Sequence, residues 1–241
     1  MKFKGLCFLI AFACLFGSAT SPQASEQSVQ LDGETIKYSL PDGFCLLDPE
    51  NHSFDEVFWN TQVDGQKGVN IVLDIMFLCE DLEKARSFQV SQGLTYSILT
   101  APTPHGVTPV KLPIELKNAQ LFEQIRPNLN QGIADVDKGE VSDRINTALS
   151  KNIGTEADVV NVQEIRQLGV LDEDKNAIYA GLMISAKAKN EVTNVATVLT
   201  YVPVKSYLLT FNAYQPFDGK DTYVKLLAHS RWFSNHIVDR N

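Results

Sequence analysis

An apolar run from Val69 to Cys79, VNIVLDIMFLC, dominates the hydrophobic pattern of the first half of the chain, and Asp74 is the one charged residue inside it. A strand with one solvated face alternates polar and apolar residues, so this run predicts a central strand covered on both faces. A buried helix segment has the same composition. The short length, the β-branched residues and a helix start at Glu80-Asp81 favour the strand.

Shorter patterns flank this strand. Residues 29–40 alternate about Asp32-Gly33, a dipeptide suited to a tight hairpin turn. Ser53 and the glutamate three positions later predict the start of a helix. A short helix over Asp81–Val90 and a strand over Leu94–Leu99 are predicted to follow the apolar run.

The section from 105 to 155 is more polar, and we interpret it as a helical insertion that forms two surface helices. Pro127 is predicted to end the first helix, because proline lacks the backbone N–H that a helix interior needs. Val141–Leu149 starts the second helix, and Asn128–Gly139 is expected to be a mobile connection. Four apolar residues recur at helical spacing in the first helix: Ile114, Leu121, Phe122 and Ile125.

The last third carries four β-rich runs joined by short connections, a pattern typical of antiparallel neighbours, and it predicts a four-stranded meander. A closing helix is predicted from Asp218 or Asp221 to about Ile237. The four runs are Val159–Leu171, Ala177–Lys187, Val195–Val202 and Tyr207–Tyr214. The predicted apolar stripe of the closing helix consists of Val224, Leu227 and Ala228.

Hairpins mixed with helices predict an α+β fold: one domain over 25–241, with an antiparallel sheet and helices packed on it. The early Pro-Asp-Gly turn, the late segment LTYVPVKSYLLTF and the final helix together resemble the PsbP-like α/β/α sandwich over residues 30–60 and 160–238. The pair PDGFCLLD and NIVLDIMFLCEDL is similar to paired-cysteine segments of uncharacterised exported bacterial proteins. Both resemblances are of pattern, and neither implies an activity or a site residue.

The first 24 residues have the three parts of a secretory signal: two lysines, an apolar core over Leu6–Phe16, and a small-residue end. Cleavage after Ala19 and cleavage after Ala24 both fit. A lipoprotein would be modified at Cys14, although AFAC lacks the leucine usual three positions earlier. No later segment approaches eighteen uninterrupted apolar residues, so no integral membrane segment is expected after cleavage, and the mature protein is expected to be periplasmic or secreted.

Removal of the signal takes away two lysines and leaves 19 basic and 29 acidic side chains, a formal charge of −10. An acidic surface without a basic cluster repels phosphate, so nucleic acid is not an expected partner. Cys45 and Cys79 are the two cysteines that remain, and an even count in an oxidising compartment predicts a disulfide between them. A redox-active pair and metal ligation are the alternatives, but no C-x-x-C spacing supports them.

Catalytic and metal-binding patterns are weak. His229 and His236 lie seven residues apart on one helix, about 10 Å along its axis, too far to share a metal ion, and we interpret them as surface or helix-end histidines. The pattern favours Asp74 at a helix N-terminus or a sheet margin where donors are available. The alternative is a buried acid with a raised pKa, and a speculative polar site pairs Asp74 with His105. Other chemical patterns are interpreted as solvated acidic loops (Asp135, Asp137, Gly139 and Asp143; Asp172, Asp174 and Asn176) and as core aromatics (Phe58, Trp59, Trp232 and Phe233).

The expectation from the sequence is therefore an exported, non-catalytic binding or accessory protein without a cofactor, whose partner is another envelope protein. A hydrolase or host-directed effector, with a site assembled from scattered residues such as Asp74 and His105, is the competing hypothesis. A structural envelope component is the third.

Overall fold

The computed structural model describes residues 25–89, 93–103, 106–131, 137–154, 159–189 and 191–241. These ranges form nine strands and five helices. The strands are β1 (Glu26–Leu31), β2 (Glu34–Ser39), β3 (Phe44–Leu46), β4 (Asn70–Leu78), β5 (Tyr96–Pro102), β6 (Val160–Glu173), β7 (Ile178–Ala188), β8 (Glu191–Val204) and β9 (Tyr207–Pro216). The helices are α1 (Ser53–Gln66), α2 (Cys79–Arg86), α3 (Asn118–Gln131), α4 (Lys138–Ile153) and α5 (Lys220–Asp239).

Seven strands form one antiparallel sheet in the order β3-β4-β5-β9-β8-β7-β6, and β1 and β2 form a separate hairpin. The predicted α+β class and the predicted meander of β6, β7, β8 and β9 are confirmed. Asp32 and Gly33 both adopt positive φ, 51° and 84°, which closes the hairpin with the backbone twist that a two-residue turn requires. Among the described residues, no helix combines the length and the apolar character needed to cross a membrane.

The predicted apolar strand is β4, and both of its faces are packed. Met76 packs with Leu99 on one face of the sheet, whereas Phe77 packs on the other face with Leu82 of α2. The strand is not central in the sheet, however, because its neighbours are the edge strand β3 and β5; β9 holds the middle position. An apolar run indicates that both faces of a strand are buried, but it does not indicate how many strands lie on either side of it in the sheet.

The sheet is covered on one face by α5 and the β1–β2 hairpin, and on the other by α1, α2 and α3. Strand β9 shows the division, because Leu209 and Phe211 face α5 while Leu208 and Tyr214 face the opposite layer. The α5 layer holds the larger core. Helix α4 packs on α1 and on the edge of β6.

Helix α5 is buried along a different stripe from the predicted one. Val224 is 66% exposed and Ala228 is exposed, whereas Leu226, Phe233 and Ile237 are buried. The helix carries aliphatic residues on more than one side, so the spacing alone does not select the side that meets the sheet.

Two predictions for the helical section are wrong. Pro127 lies inside α3 and does not end it, since the helix continues to Gln131. Ile114 precedes the helix and is 98% exposed, while Leu121 and Phe122 are buried against β7 and β9. A proline removes one backbone hydrogen bond, and packing of the helix on the sheet offsets that loss. Of the predicted mobile connection, residues 132–136 lie outside the described residues.

Strand β6 forms one edge of the sheet, and side chains of α3 and α4 bond to its outer backbone groups. The Asn146 side chain donates to the Val160 carbonyl and accepts from the Val160 N–H, both at 2.8 Å. Ser142 Oγ accepts from the Val162 N–H at 3.0 Å. An unpaired edge is a template for pairing with another chain, so these contacts protect the sheet from aggregation.

Replacement of Asn146 with alanine is expected to lower the free energy of unfolding by about 1–2 kcal/mol, because two backbone groups of Val160 lose their partner. Urea denaturation measures the loss, and light scattering measures edge-to-edge association. Asn161→Ala is the matched control, since Asn161 is an exposed asparagine on the same strand. Equal stability of the two variants would contradict the edge-protecting role.

Candidate functional site

A disulfide joins the edge strand β3 to the start of α2. The sulfur atoms of Cys45 and Cys79 lie 2.01 Å apart and their Cα atoms 5.0 Å apart. Cys45 is the middle residue of β3, and Cys79 is the first residue of α2, directly after β4. The predicted cysteine pair is therefore present, and it holds a strand of only three residues against the sheet.

The buried acid Asp74 lies on β4 where the ladder to β5 shifts its register. Its carboxylate accepts hydrogen bonds from the Tyr38 hydroxyl and, at 2.9 Å, from the Ile75 N–H. Burial raises the pKa of Asp74, and these two donors oppose the rise. Burial also raises the pKa of Tyr38, as does the Asp74 carboxylate beside it. His105 lies outside the described residues, so the Asp74–His105 pairing stays a hypothesis.

A second polar pair consists of the buried Ser97 on β5 and the half-buried His229 on α5, whose Oγ and Nε2 atoms lie 3.1 Å apart. The imidazole stacks on the Phe44 ring at 4.3 Å between centroids and contacts the Phe211 ring at 5.3 Å. Burial lowers the pKa of His229 to about 4, so the ring is neutral at pH 7. The interpretation of His229 as a surface histidine is wrong, because its side of α5 meets the sheet.

The two polar pairs are connected by a row of five rings, which we call the aromatic row: Tyr38, Phe233, Phe211, His229 and Phe44. Successive centroids lie 5.7, 3.9, 5.3 and 4.3 Å apart along this row. It crosses from the hairpin strand β2, through α5 and β9, to the edge strand β3. One end bonds to Asp74, and the other end precedes Cys45.

The remaining chemical patterns have local structural roles. Asp174 is not a solvated loop residue, because its carboxylate accepts from the Asn176 N–H at 2.7 Å and from the Tyr179 hydroxyl at 2.7 Å. Asp137 caps α4. The His236 Nδ1 atom lies 2.7 Å from the Trp232 carbonyl oxygen. In the described part of the chain, no three or more His, Cys, Asp or Glu side chains are grouped closely enough to hold a metal ion.

An open groove of about 670 Å³ lies between α1 and α4, well apart in the fold from the aromatic row. Lys151 donates to Asp64 at 2.7 Å across the groove, and the Arg144 guanidinium donates to the Lys67 carbonyl at 2.9 Å. The hydrogen bond from Lys151 lowers the pKa of Asp64. The charged residues that line the groove are Asp64, Lys67, Asp137, Glu140, Asp143, Arg144 and Lys151.

Sequence reasoning missed the Ser97–His229 pair and the groove. Each brings together residues that are distant in the chain, since Ser97 and His229 are 132 positions apart. The buried face of α5 was the available signal for His229. Leu226, Phe233 and Ile237 share that face with it, but their spacing competed with the alternative stripe of aliphatic residues.

The chain matches no protein-family model and no curated protein. A comparison of structures finds similarity to the solution structure of cyanobacterial PsbP (CyanoP) from Synechocystis sp. PCC 6803. The match covers 92% of this chain and 96% of that chain, with a TM-score of 0.32 and 12% sequence identity. This is a weak resemblance at the level of the fold, and nothing about activity or ligands follows from it.

Replacement of Tyr38 with phenylalanine is expected to destabilise the fold by about 1–3 kcal/mol, because it leaves the buried Asp74 carboxyl without its side-chain donor. Urea denaturation at pH 7 measures the change. Tyr207→Phe is the matched control, since the Tyr207 hydroxyl lies 3.3 Å from the half-exposed carboxylate of Asp32. A Tyr38 variant no less stable than the control would mean that the buried pair contributes nothing.

Acidification is expected to destabilise the protein through His229. The folded-state pKa of about 4 lies below the ordinary value of 6.5, so below pH 6.5 the unfolded chain binds a proton that the folded chain does not. The contribution of His229 to stability is therefore complete above pH 6.5 and falls by at most about 1.4 kcal/mol per pH unit until pH 4.

Urea denaturation between pH 7 and pH 4 tests this dependence, with His229→Gln as the variant and His52→Gln as the control at an exposed histidine. The stability of the His229 variant is expected to depend less on pH in this window. An unchanged slope would show that His229 titrates normally in the folded protein.

Proposed function

We propose that this chain is an exported, periplasmic accessory protein that binds another envelope protein through the groove between α1 and α4. The groove carries the proposal: it is open to solvent and lined by charged side chains of both signs. Small-molecule sites are mostly enclosed and apolar, with few polar groups. A mixed-charge groove is better suited to a polar segment of another protein, where charge complementarity selects the partner.

Local structure presents these charges on a continuous surface. Asp143 and Thr147 lie one turn apart on α4 and are exposed, whereas Ala148 is buried. Lys151 and Asn152 both donate to the Asp64 carboxylate and so join the far end of α4 to α1. A partner would therefore meet an ordered helix face, and it would not have to order that face on binding.

Two further features support the exported location. The Cys45–Cys79 disulfide is of the kind that persists in an oxidising compartment. The first 24 residues have the charge and hydropathy pattern of a secretory signal. Both features support the compartment only, and the proposal of a protein partner rests on the groove alone.

Site-specific photo-crosslinking in cells tests the proposal, with the photoreactive residue at Thr147 in the groove or at Lys225 on the exposed side of α5. We expect a discrete protein adduct from Thr147 in the periplasmic fraction and none from Lys225. Reversing one groove charge with Asp143→Lys should weaken binding of the purified partner about tenfold or more, because desolvated charge pairs contribute more than 1 kcal/mol.

Asp239→Lys is the matched control for charge, since Asp239 is exposed at the end of α5. Its partner affinity should equal that of the unmodified protein. The same adducts from positions 147 and 225 would contradict binding through the groove. Equal effects of Asp143→Lys and Asp239→Lys on partner affinity would contradict it as well.

A hydrolase is the second candidate, because Ser97 and His229 meet at 3.1 Å as a nucleophile and a base would. Ser97 is 1% exposed, however, and Phe44 covers the imidazole. Labelling of Ser97 by a fluorophosphonate, with loss of labelling in His229→Gln, would favour this candidate over the accessory protein.

A further inference from the structure

Phe44 stacks on the half-buried imidazole of His229 and is the residue next to the disulfide. The two rings are nearly parallel, with an interplanar angle of 18° and a centroid distance of 4.3 Å. Phe44 belongs to β3, which has three residues and pairs with β4 alone. The position of the ring therefore depends on what holds this short edge strand.

We propose that the Cys45–Cys79 disulfide is a redox switch whose reduction releases Phe44 and exposes the Ser97–His229 pair. The reductant is a dithiol. Its thiolate attacks one sulfur of the disulfide and forms a mixed disulfide, and its second thiol then displaces the bound cysteine. Cys45 and Cys79 end as thiols, and the dithiol ends as a cyclic disulfide, so two electrons and two protons pass to the protein.

The structure allows both the reduction of the disulfide and the opening of β3 that follows it. Cys45 and Cys79 are half-buried, so a small dithiol can approach the bond. Once the disulfide is reduced, β3 is held by its short ladder to β4 and by turn contacts. One of these is the hydrogen bond from the Phe44 N–H to the Pro41 carbonyl, at 3.0 Å. An edge strand of three residues has little stability of its own and is an expected site of local opening.

Opening at β3 would change the surroundings of His229 without removing the rest of its layer. Phe44, Ser97 and Phe211 contact the imidazole, and none of these three carries a charge. Asp74 of β4 and Tyr38 of β2 are titratable groups on this face, and they bond to each other at the far end of the aromatic row. On α5, Lys225 lies one turn before His229 and is exposed. The opened site thus presents an imidazole and a serine hydroxyl beside the Phe211 ring.

The rate of carbethoxylation by diethylpyrocarbonate, read residue by residue by mass spectrometry, tests the proposal on the oxidised protein and on protein reduced with dithiothreitol. We expect the rate at His229 to rise about tenfold or more on reduction, as for a site that changes from rare to frequent opening, and the rate at the exposed His52 to stay within about twofold. An unchanged rate at His229 would overturn the switch.

His236 separates local opening from unfolding, because it stacks on Trp232 at 3.9 Å, away from β3. If His236 and His229 react faster together on reduction, the chain unfolds as a whole and the switch is overturned. Phe44→Ala with the disulfide intact provides the second measurement. It should make His229 reactive without reductant. Leu46→Ala should not, although Leu46 lies two residues further along the same face of β3. A slow His229 in the oxidised Phe44 variant would show that Phe44 is not the cover.

Discussion

The unpaired edges of the seven-stranded sheet are the constraint on which much of this structure depends. Each edge leaves a row of backbone groups that must be bonded, covered or kept short. At β6, the side chains of Asn130, Ser142 and Asn146 act as a substitute for an eighth strand. At the other edge, β3 has only three residues and is held by a disulfide. The helical section and the cysteine pair thus serve one requirement at opposite ends of the sheet.

Two titratable side chains inside the α5 layer, Asp74 and His229, are stabilised by pairing. An isolated buried carboxyl or imidazole would lose several kcal/mol of solvation, so each has a hydroxyl partner, Tyr38 for Asp74 and Ser97 for His229. Stacked rings connect the two pairs across β2, α5, β9 and β3. Displacement of a ring at either end therefore changes the environment of a titratable group, and the Phe44 end is the one whose position depends on a reducible bond.

Helix α4 has two roles that a single surface element can combine. Ser142 and Asn146 face the edge of β6, while Asp143 and Thr147 face the groove. Successive residues on a helix point in directions about 100° apart, so neighbours in sequence serve different surfaces. A partner bound in the groove would also stabilise the helix that protects the edge, since binding to the native state favours that state.

The sequence by itself determined the local elements: the Asp32-Gly33 turn, the meander, the apolar strand β4 and the pairing of two cysteines. The first three depend on turn chemistry and short-range periodicity, which are properties of neighbouring residues, whereas the cysteine pair follows from an even count in an oxidising compartment. Tertiary structure alone decided that β4 lies beside an edge, that α3 continues through Pro127 and that α5 turns His229 and not Val224 toward the sheet. It also decided which residues form the two polar pairs and the groove, because each joins segments distant in the chain, and packing rather than local pattern selects which faces meet.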